Sequence, residues 1–138
     1  MFLDELIEDG EYRKQIEKEK SMWKTLTKDE VDNLCDKAIN AAQLVCGNKL
    51  KKVILYGSYA RGNYHGLSDL DIAVIADVSF KKEREYELKI HLCIEGDVDA
   101  LISVVVISLE LWEEDDYLNY FLYKNIREEG IVKWACSS

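Results

Sequence analysis

Lys52-Val-Ile-Leu-Tyr-Gly-Ser-Tyr-Ala-Arg-Gly-Asn-Tyr-His-Gly-Leu-Ser-Asp-Leu-Asp-Ile-Ala-Val-Ile75 contains two short apolar runs separated by a polar, glycine-punctuated loop. The first run, Lys52 to Tyr56, is rich in β-branched residues and predicts a buried strand. The second, Asp69 to Ile75, predicts another. Gly57 and Ser58 leave the first strand at once, and Asp69 and Asp71 open the second.

Outward from this stretch, Thr27-Lys-Asp-Glu30 has the form of a capping box. Val31, Leu34, Cys35, Ala38, Ala42 and Val45 then recur on one helical face, ending at Gly47. Residues 80–95 read either way, but the charged start Lys81 to Glu85 favours a helix. Ala100 to Ile107 reads as a strand. Ser108 can cap one long helix through Trp112, Leu118, Phe121, Leu122 and Ile126 to Gly130, and Ile131 to Trp134 closes with a strand. The expected class is α/β (α+β), a small mixed β-sheet with helices packed on one side. Residues 1–26, highly charged with scattered apolar anchors, read as an N-terminal helical extension; residues 27–138 form the main domain.

The chain has 138 residues and a formal charge of -9, with 48% hydrophobic and 33% charged residues. This composition fits a globular domain rather than a disordered one. The acidic balance disfavours broad nucleic-acid binding, whose non-specific affinity comes from neutralising phosphates. No apolar run reaches the roughly 18 residues that suggest a membrane span, and the N-terminus lacks a signal peptide's pattern. A cytoplasmic location is therefore expected. Cys35, Cys46, Cys93 and Cys136 form no C-x-x-C pair, so they read as reduced thiols rather than zinc ligands.

The chemistry gathers between Gly57 and Asp71. Gly57 has no Cβ, so backbone amides there can approach an anion closely. Ser58 offers a hydroxyl, and Arg61 a permanent charge with fork geometry. A short helix from Tyr59 would turn its N-terminus toward a phosphate. Asp69 and Asp71, two apart in a strand, put both carboxylates on one face. Their mutual repulsion is relieved by a divalent cation; Mg²⁺ favours one or two carboxylates plus phosphate oxygens. Leu70, Ile72 and Val74 point oppositely and anchor the strand in a core. A lone D-x-D is usually only a solvated turn; its coupling to Gly57-Ser58 between two apolar strands sets this one apart.

The spacing G-S-x10-D-x-D, with Gly57, Ser58, Asp69 and Asp71, resembles the signature of the DNA-polymerase-β-like nucleotidyltransferases. The fuller string GSYARG…SDLDIAV is similar to the minimal nucleotidyltransferase (MNT) branch. Lys124 to Val132 resembles that branch's closing helix and strand. The resemblance implies the polymerase-β-like fold, ATP or another NTP as substrate, and two Mg²⁺ ions. It assigns Asp69 and Asp71 as catalytic metal ligands, and Gly57 and Ser58 to the triphosphate, with Arg61 and Ser68 as further nucleotide-binding candidates. It also implies a third carboxylate on a neighbouring strand. Asp97 and Asp99 both qualify and share a face with Ser103 by alternation; Asp99, nearer the strand body, is taken.

Minimal enzymes of this kind often neutralise HEPN-type toxins by adenylylating a tyrosine. The resemblance therefore implies a protein acceptor and an antitoxin role. A small-molecule, aminoglycoside-type nucleotidyltransferase and a catalytically weak nucleotide-binding module are the alternatives. His65 reads as a solvated loop residue. Lys51, Lys52, Lys81, Lys82 and Arg84 form either a basic rim near the site or a solvated face.

Overall fold

The computed structural model describes residues 25–64, 69–94, 102–114 and 120–137. The N-terminal extension up to Lys24, His65, Ser68, Asp97 and Asp99 lie outside them.

Helix α1, Lys28–Cys46, starts as expected: Thr27 Oγ1 accepts from the Glu30 amide at 3.1 Å, and Glu30 Oε1 accepts from the Thr27 amide at 3.0 Å. A 3-10 turn, Gly47–Lys49, leads into β1, Leu50–Tyr56. The four-residue helix α2, Ser58–Arg61, follows, and then β2, Leu70–Ala76. After a second 3-10 turn, Phe80–Lys82, comes α3, Glu83–Ile94. Strand β3, Ile102–Ser108, precedes α4, Leu109–Glu113, then α5, Tyr120–Glu129, and β4, Ile131–Ala135.

The four strands lie in the order β3-β2-β1-β4. β1 is antiparallel to β2 and β4, while β2 and β3 are parallel, so the sheet is mixed as expected. One face carries Leu70, Ile72, Val74, Val53, Leu55, Val104 and Val106 against α1 and α3. On the other face Ile54, Ala73, Ile75 and Ile107 pack with Trp112, Tyr123 and Ile126 from α4 and α5. Helices thus cover this second face as well as the one the sequence pointed to. The reason is visible in β2: from Ile72 to Ala76 every residue is buried, as in a central strand covered on both faces.

The single helix expected after Ser108 is resolved into α4 and α5. Ser108 does cap, its Oγ accepting from Leu111 N at 3.3 Å. However, α4 ends at Glu113, where Glu113, Glu114, Asp115 and Asp116 follow one another. Acidic side chains oppose the negative end of a helix dipole.

The free edge of β3 is occupied by side chains of α3. The outward amides of Ser108, Val106 and Val104 donate to Glu83 Oε2 at 2.7 Å, Glu87 Oε1 at 3.0 Å and His91 Nε2 at 3.4 Å. Four residues of helix advance about 6 Å and two of strand about 6.6 Å. Side chains spaced by four on α3 therefore keep step with alternate amides on β3. At the opposite edge, β4 carries a bulge at Lys133, because Val53 pairs with Trp134 and Ile54 with Val132. Lys133 Nζ reaches Asp32 Oδ1 of α1 at 3.2 Å.

Candidate active site

The site forms where β1 ends and β2 begins. Tyr56 and Asp71 are partners in the antiparallel pairing, and Asp71 is level with Ser103 in the parallel one. Cross-strand partners share a face, so Tyr56, Asp71 and Ser103 lie side by side on the α4–α5 face. Leu70 and Ile72 take the other face, where both are fully buried, as their alternation predicted.

Gly57 has φ 79° and ψ -155°, a region accessible essentially only to glycine. There is a second reason for glycine. A Cβ there would lie 2.2 Å from Asp71 Oδ2. The backbone turn and the Asp71 carboxylate are therefore in direct apposition, and Ser58 begins α2 beside them. The turn is closed by Arg61 N donating to Gly57 O at 3.0 Å and Gly62 N to Ser58 O at 2.9 Å. Tyr59 is buried in the α1–α3 core, stacks on Tyr64 at 4.5 Å, and accepts from the Leu26 amide at 3.2 Å. The turn is thus tied to the start of α1.

Burial pushes the Asp71 carboxyl above the ordinary range, and the Asp69 charge pushes it further; Arg61 pulls it back. Asp69 itself is exposed at the strand mouth. Both supply the hard oxygens that Mg²⁺ prefers, and Asp71 already faces the space a phosphate cradle would need. Among the described residues no third His, Cys, Asp or Glu completes a metal cluster with them.

Two residues that the sequence did not single out belong to the site. Tyr56, read only as a strand residue, has its phenol pushed up to about 12 by burial, by Asp71 and by Glu87. It stays protonated at neutral pH and can donate its proton in a hydrogen bond to a carboxylate or phosphate oxygen. Glu129 Oε2 accepts from Arg61 Nη1 at 2.9 Å, joining α5 to α2. No local pattern signals a contact across 68 residues. The basic rim does not form at the site. Lys51 and Lys52 start β1, and Lys81, Lys82 and Arg84 follow the end of β2, so these residues lie at the opposite end of the sheet.

The mixed sheet thus sets a Gly-Ser turn against a half-buried carboxylate. Residues 40–131 match the family described as "Nucleotidyltransferase domain", and the chain belongs to that family. It is 34% identical over 94 residues to "Putative protein adenylyltransferase MJ0604" of Methanocaldococcus jannaschii, covering 68% of this chain and 88% of that protein. It is 33% identical over 84 residues to protein adenylyltransferase MntA of Shewanella oneidensis, covering 51% of this chain and 60% of MntA. It is also similar to a chain of a crystallised toxin–antitoxin complex with AMP-PNP, at 23% identity and TM-score 0.49, over 75% of this chain and 74% of that one. No helix among the described residues is long and apolar enough to cross a membrane.

Proposed function

We propose that this nucleotidyltransferase moves AMP from ATP to a protein hydroxyl, with a tyrosine of a HEPN-type toxin as the acceptor and neutralisation of that toxin as the outcome. The observation that carries the reading is the apposition of the Gly57 turn to the Asp71 carboxylate, which a single Cβ would fill. The names of the relatives support a protein acceptor.

Gly57, Ser58, Arg61 and Ser68 bind the triphosphate. Asp69 and Asp71, joined by Asp99, would hold Mg²⁺. When bound, Mg²⁺ supplies positive charge to the carboxylates and to the phosphate oxygens. Ser58 and the α2 amides orient the triphosphate so that the α-phosphorus faces the acceptor. The acceptor hydroxyl oxygen forms a new bond to that phosphorus and releases its proton to solvent, the bond to the bridging oxygen breaks, and pyrophosphate leaves. Positioning and charge supply most of the rate in such transfers. Tyr56 keeps its proton and borders the Asp71 side of the site.

Label transfer from α-³²P-ATP with Mg²⁺ in host lysate tests this. A labelled protein band is expected with wild type and none with Asp69→Asn/Asp71→Asn. Label on small molecules alone would favour a small-molecule acceptor. ATP binding without any transfer would favour a nucleotide-binding module.

A further inference from the structure

Glu129 reaches the site from the far end of the chain, and its place there is fixed by packing. Tyr123 and Ile126 of α5 are buried on the sheet. A Cβ at Gly130 would lie 2.2 Å from the Ile126 carbonyl oxygen and 2.5 Å from Ile54 Cγ2. The end of α5 therefore presses directly on β1, the strand that runs into Gly57. Glu129, one residue before this contact, is held at a set distance from the catalytic turn.

The Arg61–Glu129 pair is only half-buried, with side chains 41% and 33% exposed. Pairs this open contribute little to folding, so stability is a weak reason for the contact. Among the described residues it engages only Nη1 of Arg61. A guanidinium carries five N–H donors in a rigid plane. Holding one corner fixes the direction of the rest.

We propose that Glu129 is a positioning residue for nucleotide binding: it anchors the Arg61 guanidinium by Nη1, so that the remaining donors are already ordered toward the triphosphate. The inference rests on Arg61 as a nucleotide ligand. Ordering a long, rotamer-rich side chain on binding weakens affinity, and ordering it beforehand removes that loss.

The test is a double-mutant cycle on Mg·ATP affinity, measured by titration calorimetry of the full chain without acceptor. Glu129→Ala is expected to raise Kd about 3- to 10-fold, the range for pre-ordering one such side chain. Glu129→Gln keeps an acceptor oxygen and should recover part of the loss. In an Arg61→Ala background, Glu129→Ala should change nothing further, with melting temperatures equal throughout. A purely structural role for Glu129 would not produce this non-additivity. If Arg61→Ala raises Kd but Glu129→Ala does not, or if the two effects add, the positioning proposal is overturned. If Arg61→Ala leaves Kd unchanged, the assignment of Arg61 as a ligand fails, and the proposal with it.

Discussion

Gly57→Ala should separate the two demands placed on the catalytic turn. The backbone there, at φ 79° and ψ -155°, is a glycine conformation, and forcing an L-residue into such a region costs about 1–3 kcal/mol. The new Cβ would also sit 2.2 Å from Asp71 Oδ2, so the carboxylate must move by about 1 Å to restore ordinary contact. A misplacement of that size costs on the order of 100-fold in rate. Gly62→Ala is the control: φ is 84°, but nothing lies within 4 Å of its Cβ. Its expected cost is about 1–2 kcal/mol of backbone strain, or a Tm fall of roughly 4–8 °C for a domain this size. AMP transfer, followed by pyrophosphate release, should fall about 100-fold in Gly57→Ala and stay within a few-fold of wild type in Gly62→Ala. Equal activities in the two variants would refute the apposition argument, because the backbone penalty would then explain everything.

Other outcomes follow from the same geometry. Asp71 has a raised folded pKa, so it favours folding below its unfolded pKa and opposes it as pH rises through the folded value. Asp71→Asn should therefore abolish transfer yet raise Tm at neutral pH without divalent cations, with the gain vanishing in acid; a lower Tm at pH 7 would contradict this. Mg²⁺ should raise the wild-type Tm and leave Asp69→Asn/Asp71→Asn unmoved. Asp71→Asn should also lower the ionisation of Tyr56 from about 12, read as phenolate absorbance in an alkaline titration against Tyr56→Phe. Glu87→Ala strands the Val106 amide and should cost about 1–3 kcal/mol in urea unfolding. Glu85→Ala, which loses only an open pair with Lys89 at 3.8 Å, should stay within about 0.5 kcal/mol.

The parts legible in the sequence were those with local causes. The Thr27–Glu30 box, the β1 and β2 runs, and the opposite-face placement of Asp71 and its anchors each depend on residues within one element. The helix over α3, favoured by its charged start, is present as Glu83–Ile94. What escaped has non-local causes. Leu109–Glu113 and Tyr120–Glu129 pack on the second sheet face because β2 is central, which depends on strand order rather than on its own pattern. Lys52 and Lys81 were near the motif in sequence, yet a strand of seven residues carries its two ends about 20 Å apart. Arg61 could be named as a cation of the loop, but its partner Glu129 could not. Asp97 and Asp99 lie outside the described residues, so the third carboxylate rests on the resemblance alone.

The ladder of Glu83, Glu87 and His91 has a consequence for the protein among its own copies. Ile-Ser-Val-Val-Val-Ile-Ser, residues 102–108, is uncharged, β-branched and free of proline and glycine, the composition of segments that stack into dry, self-propagating fibrils. Left bare, such an edge is a template for the next molecule. Here the template is occupied by the chain's own helix, while the strand at the other rim carries a bulge and a lysine, two features that discourage edge pairing. The β3 edge is therefore closed to sheet extension.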